Sequence, residues 1–151
     1  MQSDNTLQVV LDSVVWISAF LRKTGLTAEL IRQASLTTQL YTAEEILAEI
    51  RRVLLDKPHI RKRYTYLDHE VEAFIKEVVR ELAITVSPLP DTHAVERDPK
   101  DDMIIACAVV AQADYIVTRD RDLLDLEEYQ DIKIVSPEDF MEVLRRKPDK
   151  T

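Results

Sequence analysis

The sequence predicts an α/β fold of the doubly wound class, in which a parallel sheet lies between layers of helices. Short apolar runs alternate along the chain with longer amphipathic segments, the order expected of strands joined by crossover helices. Residues 7–11 form an apolar-rich run typical of a strand covered on both faces. Every residue from 103 to 110 is apolar, so the helix predicted there belongs in the core.

Length and composition indicate one globular domain, residues 1–151. The chain is 46% hydrophobic and 32% charged, and its 151 residues suffice for a single core. Its one cysteine, Cys107, lies in the apolar helix, which excludes a disulfide within a monomer and suggests a reducing compartment. No apolar run approaches about 18 residues, and the polar start is unlike a signal peptide. We therefore expect a cytoplasmic protein with no membrane span.

The first third of the chain predicts a strand and two helices. The strand at 7–11 ends at Asp12, and the hydroxyl of Ser13 can cap the helix that follows. Gly25, the only glycine, is expected to cap the C-terminus of this helix. A second helix is predicted over residues 27–34.

The remaining elements alternate in the same way. Thr42 and Glu45 have the spacing of a capping box at the start of a helix over residues 43–55. Ser136 and Pro137 have the form of a helix start. The other predicted elements are strands at 39–41, 84–86, 115–117 and 132–135, helices at 68–82 and 123–129, and a loop at 88–100.

Carboxylates are placed where the strands and helices of this fold meet one edge of the sheet. Asp12 closes the first strand, Asp120 follows the fourth, and Asp102 begins the buried helix. Glu49 falls closer to the apolar stripe of its helix than Glu44 or Glu45 does. Because ligands bind at the carboxyl ends of parallel strands, we expect these acids to open on one rim.

Several carboxylates on one rim repel each other unless a cation or a proton relieves them. Hard oxygen ligands suit Mg²⁺ or Mn²⁺, and two such ions can clamp the attacking and leaving oxygens of a phosphodiester. Each acid alone also has an ordinary structural interpretation. Asp101 is more simply a helix cap, and Glu49 a solvated charge.

Several segments in order resemble the motifs of PIN domains, the ribonuclease fold of VapC-like toxins. Residues 11–19, Leu-Asp-Ser-Val-Val-Trp-Ile-Ser-Ala, are similar to the opening motif of that family. Residues 47–52 are similar to its second-acid segment, and residues 101–108 and 116–120 to its third and fourth. The closing residues 122–124 and 134–140 also look like the family, so the resemblance covers nearly the whole chain.

The resemblance implies a five-stranded parallel sheet in three α/β/α layers and an endoribonuclease activity that depends on Mg²⁺ or Mn²⁺. It also implies a cognate antitoxin protein as partner, an RNA substrate and a homodimer. By position, the acids that would bind metal and act in catalysis are Asp12, Glu49, Asp102 and Asp120. The residues that would support them are Ser13, Thr118 and Asp101. Asp102 is preferred to Asp101 as a ligand because its spacing to Thr118 matches the family.

One position departs from the family pattern. The family usually has Thr-Asn after the first acid, whereas this chain has Ser13-Val14. Ser13 can supply the hydroxyl, but Val14 cannot supply an amide that hydrogen-bonds near the site. The alternative hypothesis is therefore a catalytically impaired PIN-like module that binds a protein partner. A receiver-like phosphoacceptor domain would need a lysine after the last strand, where Ser136-Pro137 stands instead.

The net charge of −8 disfavours unspecific binding to nucleic acid, so RNA would need a local basic patch or metal ions. The most basic stretch, residues 57–66, contains Arg61, Lys62 and Arg63 together with two tyrosines. Cations on phosphates and rings stacked on bases hold single-stranded RNA. The alternative is a solvated loop between helices.

Overall fold

The computed structural model describes residues 6–86 and 99–146, with side chains from residue 102 onward in the second segment. The predicted loop at 88–100 falls largely outside the described residues, as does the side chain of Asp101. The first described segment consists of β1 (Leu7–Leu11), α1 (Ser13–Leu21), α2 (Leu26–Thr37), β2 (Thr38–Ala43), α3 (Glu44–Asp56), α4 (Pro58–Arg63), α5 (Asp68–Phe74), α6 (Arg80–Leu82) and β3 (Ala83–Val86). The second consists of α7 (Pro99–Ala111), β4 (Tyr115–Val117), α8 (Arg121–Leu126), β5 (Glu128–Tyr129), β6 (Ile132–Val135) and α9 (Pro137–Arg146).

The strands form one six-stranded sheet in the order β3-β2-β1-β4-β6-β5. Every pairing among the first five strands of this order is parallel, and helices flank the sheet. Three successive residues of β1, Val9, Val10 and Leu11, are fully buried, so both faces of the central strand are covered. The prediction of a helix-flanked parallel sheet is confirmed.

A sixth strand, β5, was not predicted and pairs antiparallel with β6 at the edge of the sheet. Helix α8 stops at Leu126, earlier than predicted, because Glu127 takes a positive φ of 64°. Gln130 and Asp131 also have positive φ, at 48° and 71°, between the paired residues of β5 and β6. This is the geometry of a two-residue hairpin turn of type I′. Such turns usually contain Asn-Gly or Asp-Gly.

Asp12 rather than Ser13 is the N-cap of α1, and two further helix caps predicted from the sequence are also wrong. Gly25 precedes α2 as its N-cap, with a φ of −85°, and α1 already ends at Leu21. Thr42 belongs to β2, and Ala43 is the N-cap of α3 with no capping hydrogen bond from a side chain. In both cases the neighbouring strand or turn extends further than the local pattern indicates.

The core lies on both sides of the sheet and includes the apolar helix. Trp16 of α1 and Phe140 of α9 are its largest fully buried side chains. Residues 104–108 of α7 are almost fully buried, as the absence of a polar face predicts. The predicted helix over residues 68–82 is continuous, with one π-helical turn, Ile75–Val79, between α5 and α6. Within the described ranges, no helix is both long and apolar enough to cross a membrane.

Candidate functional site

The carboxyl ends of β1 and β4 meet at the point where the strand order reverses direction. From β1 the chain proceeds to β2 and β3 on one side, and from β4 it proceeds to β6 on the other. Open α/β sheets bind ligands in the crevice at such a switch point. Asp12 follows β1 there, and its backbone N–H donates to the carbonyl of Val117 at 2.9 Å. Thr118 follows β4, so the two loops lie side by side.

Asp12 is buried at this point, with a relative exposure of 8%. Its Oδ1 accepts a hydrogen bond from the backbone N–H of Ser13 at 2.6 Å, which makes Asp12 the N-cap of α1. Its Oδ2 accepts from the hydroxyl of Thr118 at 2.6 Å. Both carboxylate oxygens are therefore oriented by short hydrogen bonds, one from each side of the crevice.

Thr118 connects Asp12 to Asp120. While its hydroxyl donates to Asp12, its oxygen accepts from the backbone N–H of Asp120 at 3.0 Å. Asp120 in turn caps α8, because its Oδ1 accepts from the N–H groups of Asp122 at 2.9 Å and Leu123 at 3.2 Å. Thr118 is fully buried, so this chain of hydrogen bonds sets the relative position of the two acids.

Burial raises the pKa of the Asp12 carboxyl above its ordinary value, because the charged form loses its water. Hydrogen bonds from Thr118 and Ser13 act in the opposite direction, and the negative charge of Asp120 raises the pKa further. The net result is a buried acid whose ionised form is disfavoured by its environment and by a second acid. A cation between the two carboxylates would reverse that electrostatic cost.

The other two predicted acids lie on helices whose first turns reach the same edge of the sheet. Glu49 of α3 has a side-chain exposure of 14% and forms an ion pair with Arg52 at 2.9 Å. Asp102 is partly buried in the first turn of α7. Topology favours this placement, because α3 follows β2 and α7 precedes the parallel strand β4.

The convergence of all four acids stays a prediction. Among the side chains that the structure describes, which exclude Asp101, no three Asp, Glu, His or Cys groups are arranged to hold a metal ion. Hydrogen bonds through Thr118 connect Asp12 to Asp120. Their hard oxygens suit Mg²⁺ or Mn²⁺, and the electrostatics around Asp12 favour a cation, so the residues fit such an ion.

Ser13 and Val14, which stand where the family usually has Thr-Asn, have different environments in the structure. Ser13 is buried, and its hydroxyl lies 3.4 Å from Oδ1 of Asp12, where the predicted supporting hydroxyl was expected. Val14, by contrast, is 36% exposed in the first turn of α1. An apolar side chain thus faces solvent one residue after Ser13.

The predicted basic segment is a short helix, α4, rather than a loop. Arg61 donates to the carbonyls of Leu54 and Tyr66 and forms an ion pair with Asp68 at 2.8 Å. These contacts give Arg61 a structural role, since its guanidinium is already bonded on several sides. Lys62 and Arg63 are exposed, and contact of Arg61, Lys62 and Arg63 with RNA stays a prediction.

A polar pocket of about 400 Å³ lies beside the crevice and was not predicted from the sequence. Its lining includes Arg22 at the end of α1, Tyr64 after α4 and Arg119, the residue before Asp120. The Nε of Arg22 lies 3.4 Å from the hydroxyl of Tyr64, although the two residues are 42 positions apart. Only the adjacency of Arg119 to a candidate acid was visible in the sequence, because the other contact depends on how α1 packs.

Comparisons with known proteins agree with the observed fold. The model of a family described as PIN domain matches residues 8–122. A chain in the crystal structure of VapBC2 from Rickettsia felis, bound to a DNA fragment from their promoter, has a TM-score of 0.59 and 11% sequence identity. That match covers 86% of this chain and 98% of the other, and at this identity it supports the fold alone. Among curated proteins, no significant match was found.

The family match extends from β1 to the start of α8 and includes each of the four predicted acids. It spans most of the chain, and the sheet order and the crevice between β1 and β4 are consistent with it. The chain therefore belongs to the PIN domain family.

Proposed function

We propose that this protein is a metal-dependent endoribonuclease that cleaves phosphodiester bonds of RNA at the crevice between β1 and β4. The observation that supports this most is the arrangement of Asp12, Thr118 and Asp120. It places a buried acid and a second acid on one chain of hydrogen bonds at the switch point of the sheet. Membership of the PIN domain family supports a nuclease in general.

Each residue has a specific task in this proposal. Ser13 and Thr118 hold the two oxygens of Asp12 in a fixed orientation. Asp120 supplies a second carboxylate, while Glu49 and Asp102 would complete the ligand set. Bound there, Mg²⁺ or Mn²⁺ would supply Lewis-acid stabilisation of the phosphate and a lower pKa for the attacking water.

Cleavage of a labelled single-stranded RNA in Mg²⁺ or Mn²⁺ tests the proposal. We expect the native chain to cleave, and Asp12→Asn, Asp102→Asn and Asp120→Asn to lose at least about a hundredfold in rate, since each removes a charge at the reacting phosphate. Asp131→Asn is the matched control, because it makes the same change at the exposed opposite end of the sheet. Equal activity of Asp102→Asn and the native chain would reject the proposal.

The biological setting we propose is a toxin that a cognate antitoxin protein inhibits. The support is the motif resemblance together with a fold shared with a chain of VapBC2. Expression in a bacterial host should arrest growth for the native chain and not for Asp12→Asn. Co-expression of the protein encoded by the adjacent reading frame should restore growth. Light scattering of the purified chain tests the predicted homodimer.

A second candidate is a PIN domain that binds a protein partner without cutting RNA, and Val14 is the observation that favours it. Val14 is 36% exposed in the first turn of α1, at the position where the family usually has an asparagine. A chain impaired for this reason should be inactive with Mn²⁺ and should gain RNA cleavage in Val14→Asn. Efficient cleavage by the native chain would exclude this candidate.

A further inference from the structure

We infer that the polar pocket formed by Arg22, Tyr64, Thr27 and Arg119 binds one nucleotide of the RNA beside the bond that is cut. The inference rests on the proposed nuclease function and names a substrate subsite for it. The pocket has a volume of about 400 Å³ and lies between the end of α1, the start of α2 and the loop after β4.

Two guanidinium groups line the pocket from different segments. Arg22 is exposed, and the contact that the structure gives its side chain is the long one with the hydroxyl of Tyr64, at 3.4 Å. Within the described ranges, no carboxylate lies within ion-pair distance of Arg22, so its charge can meet an anionic ligand. Arg119 forms a bidentate pair with Glu138 and is 43% exposed on its side chain.

The wall of the pocket also includes a threonine near the start of α2. Thr27 is only 5% exposed and lines the pocket near the start of α2. In the part of the chain that the structure describes, its side chain makes no hydrogen bond. The N-cap of α2 is Gly25, which offers no side chain to the first N–H groups of the helix. Thr27 and Gly25 therefore line the same space as the two arginines.

The aromatic ring of Tyr64 favours a nucleotide over a simple anion, because a base can stack on the ring. Its ring is partly buried, and the guanidinium of Arg63 lies 5.7 Å from the ring centre. The nearby Arg22 lowers the pKa of the Tyr64 hydroxyl, in keeping with a positive local potential. Single-stranded RNA is held by this combination of cations for phosphates and an aromatic ring for a base.

The position of the pocket connects it to the crevice. Arg119 is the residue between Thr118 and Asp120, so the wall of the pocket and the candidate acids share one loop. In a chain with a net charge of −8, RNA needs a local basic site close to the reaction, and this pocket provides one. A nucleotide held here would bring its neighbouring phosphate toward Asp12 and Asp120.

Fluorescence anisotropy of a short labelled single-stranded RNA in EDTA tests the inference, since binding is then measured without cleavage. We expect Arg22→Gln to weaken binding about five- to tenfold and to reduce the slope of log affinity against log salt by about 0.7. Tyr64→Leu should weaken binding about tenfold, whereas Tyr64→Phe, which keeps the ring, should change it about twofold or less. In cleavage assays, Arg22→Gln should raise KM and leave kcat nearly unchanged.

Arg145→Gln is the matched control, because it removes the same charge from an exposed site on α9. Equal RNA affinity for Arg22→Gln, Tyr64→Leu and Arg145→Gln would overturn the inference while leaving the nuclease proposal intact. If inorganic phosphate displaced the RNA and Tyr64→Leu bound RNA as tightly as the native chain, the pocket would be a phosphate site. That result would overturn the nucleotide assignment. Loss of binding in the pocket variants of a chain that cuts no RNA would support a nucleotide-binding pocket, but it would reject both the nuclease and the role of the pocket as a substrate subsite.

Discussion

At the scale of single residues, the Thr118 hydroxyl controls the relation between the two candidate acids. It donates to Asp12 and accepts from the backbone of Asp120, and it is fully buried. Removing it leaves a buried carboxylate oxygen without its donor, a change that costs more than the loss of an exposed hydrogen bond. The same residue therefore influences both the stability of the fold and the chemistry at the crevice.

We expect Thr118→Val to lower the free energy of unfolding by about 1.5–3 kcal/mol, the range for a buried hydrogen bond to a charged group. The pKa of Asp12 should rise further, because the bond from Thr118 lowers it in the native chain. RNA cleavage should fall as well. Thr118→Ser, which keeps the hydroxyl, is the control in urea denaturation, and equal stability of the two variants would contradict this role.

Thr42 provides the opposite case, a buried hydroxyl that the protein does not use. It is fully buried in β2, and its Oγ1 has no hydrogen-bond partner in the described part of the chain. Thr42→Val replaces the unpaired hydroxyl with a methyl group of similar size, so stability should increase by about 1 kcal/mol. Thr38→Val is the comparison, because the Thr38 hydroxyl donates to Ala34 at 2.8 Å. If Thr42→Val destabilised the fold as much as Thr38→Val, an unseen partner would have to exist.

At the scale of elements, α3 is attached to α5 and α6 by two ion pairs on the surface. Arg51 of α3 contacts Glu72 of α5 at 2.9 Å, and Glu44 of α3 contacts Arg80 of α6 at 2.9 Å. The arginines lower the pKa of both glutamates below the ordinary value of 4.5. Because α3 includes Glu49, these pairs also help to fix the helix that presents a candidate acid.

The sign of the pH effect follows from those lowered pKa values. A glutamate whose pKa is depressed by folding stabilises the fold above its unfolded pKa, and this contribution disappears as the pH falls through the folded pKa. The stability difference between the native chain and Glu44→Gln or Glu72→Gln should therefore be present at pH 7, shrink as the pH falls below 4.5, and be lost once the pH is below the folded pKa. Since both glutamates are half exposed, each difference should stay under about 1 kcal/mol and shrink in 1 M salt. A difference as large at pH 3 as at pH 7 would contradict the ion-pair explanation.

At the scale of the whole molecule, the alternation of apolar runs and helical stripes was enough to predict the five parallel strands and most helices. The strand at residues 7–11 and the buried helix around Cys107 were confirmed because their burial is encoded in unbroken apolar residues. The hairpin at Gln130 was missed because its turn lacks the usual glycine. The contact between Arg22 and Tyr64 could not be predicted, since it depends on packing between segments that are distant in the sequence.

The candidate site could be predicted in part from the sequence. The carboxyl ends of parallel strands lie at one rim of the sheet, so Asp12 and Asp120 were expected there, whereas Thr118 was assigned to the site by the family resemblance. Glu49 and Asp102 lie on helices, and their approach depends on the rotation and tilt of each helix against the sheet. Strand pairing fixes the positions of Asp12 and Asp120, whereas side-chain packing decides those of Glu49 and Asp102.

A divalent ion that bound at the crevice would stabilise the whole fold by mass action, and this provides a test separate from catalysis. At an ion concentration of 100 times Kd the free energy of unfolding should rise by about 2.7 kcal/mol. For a chain of this size that corresponds to an increase in Tm of roughly 5–10 °C. In the presence of Mn²⁺, Asp12→Asn should abolish most of the increase in Tm, because it removes the buried charge. Asp131→Asn, at the opposite edge of the sheet, should retain the increase. An equal increase in the native chain and Asp12→Asn would place the ion elsewhere, and no increase at all in the native chain would favour the protein-binding module over the nuclease.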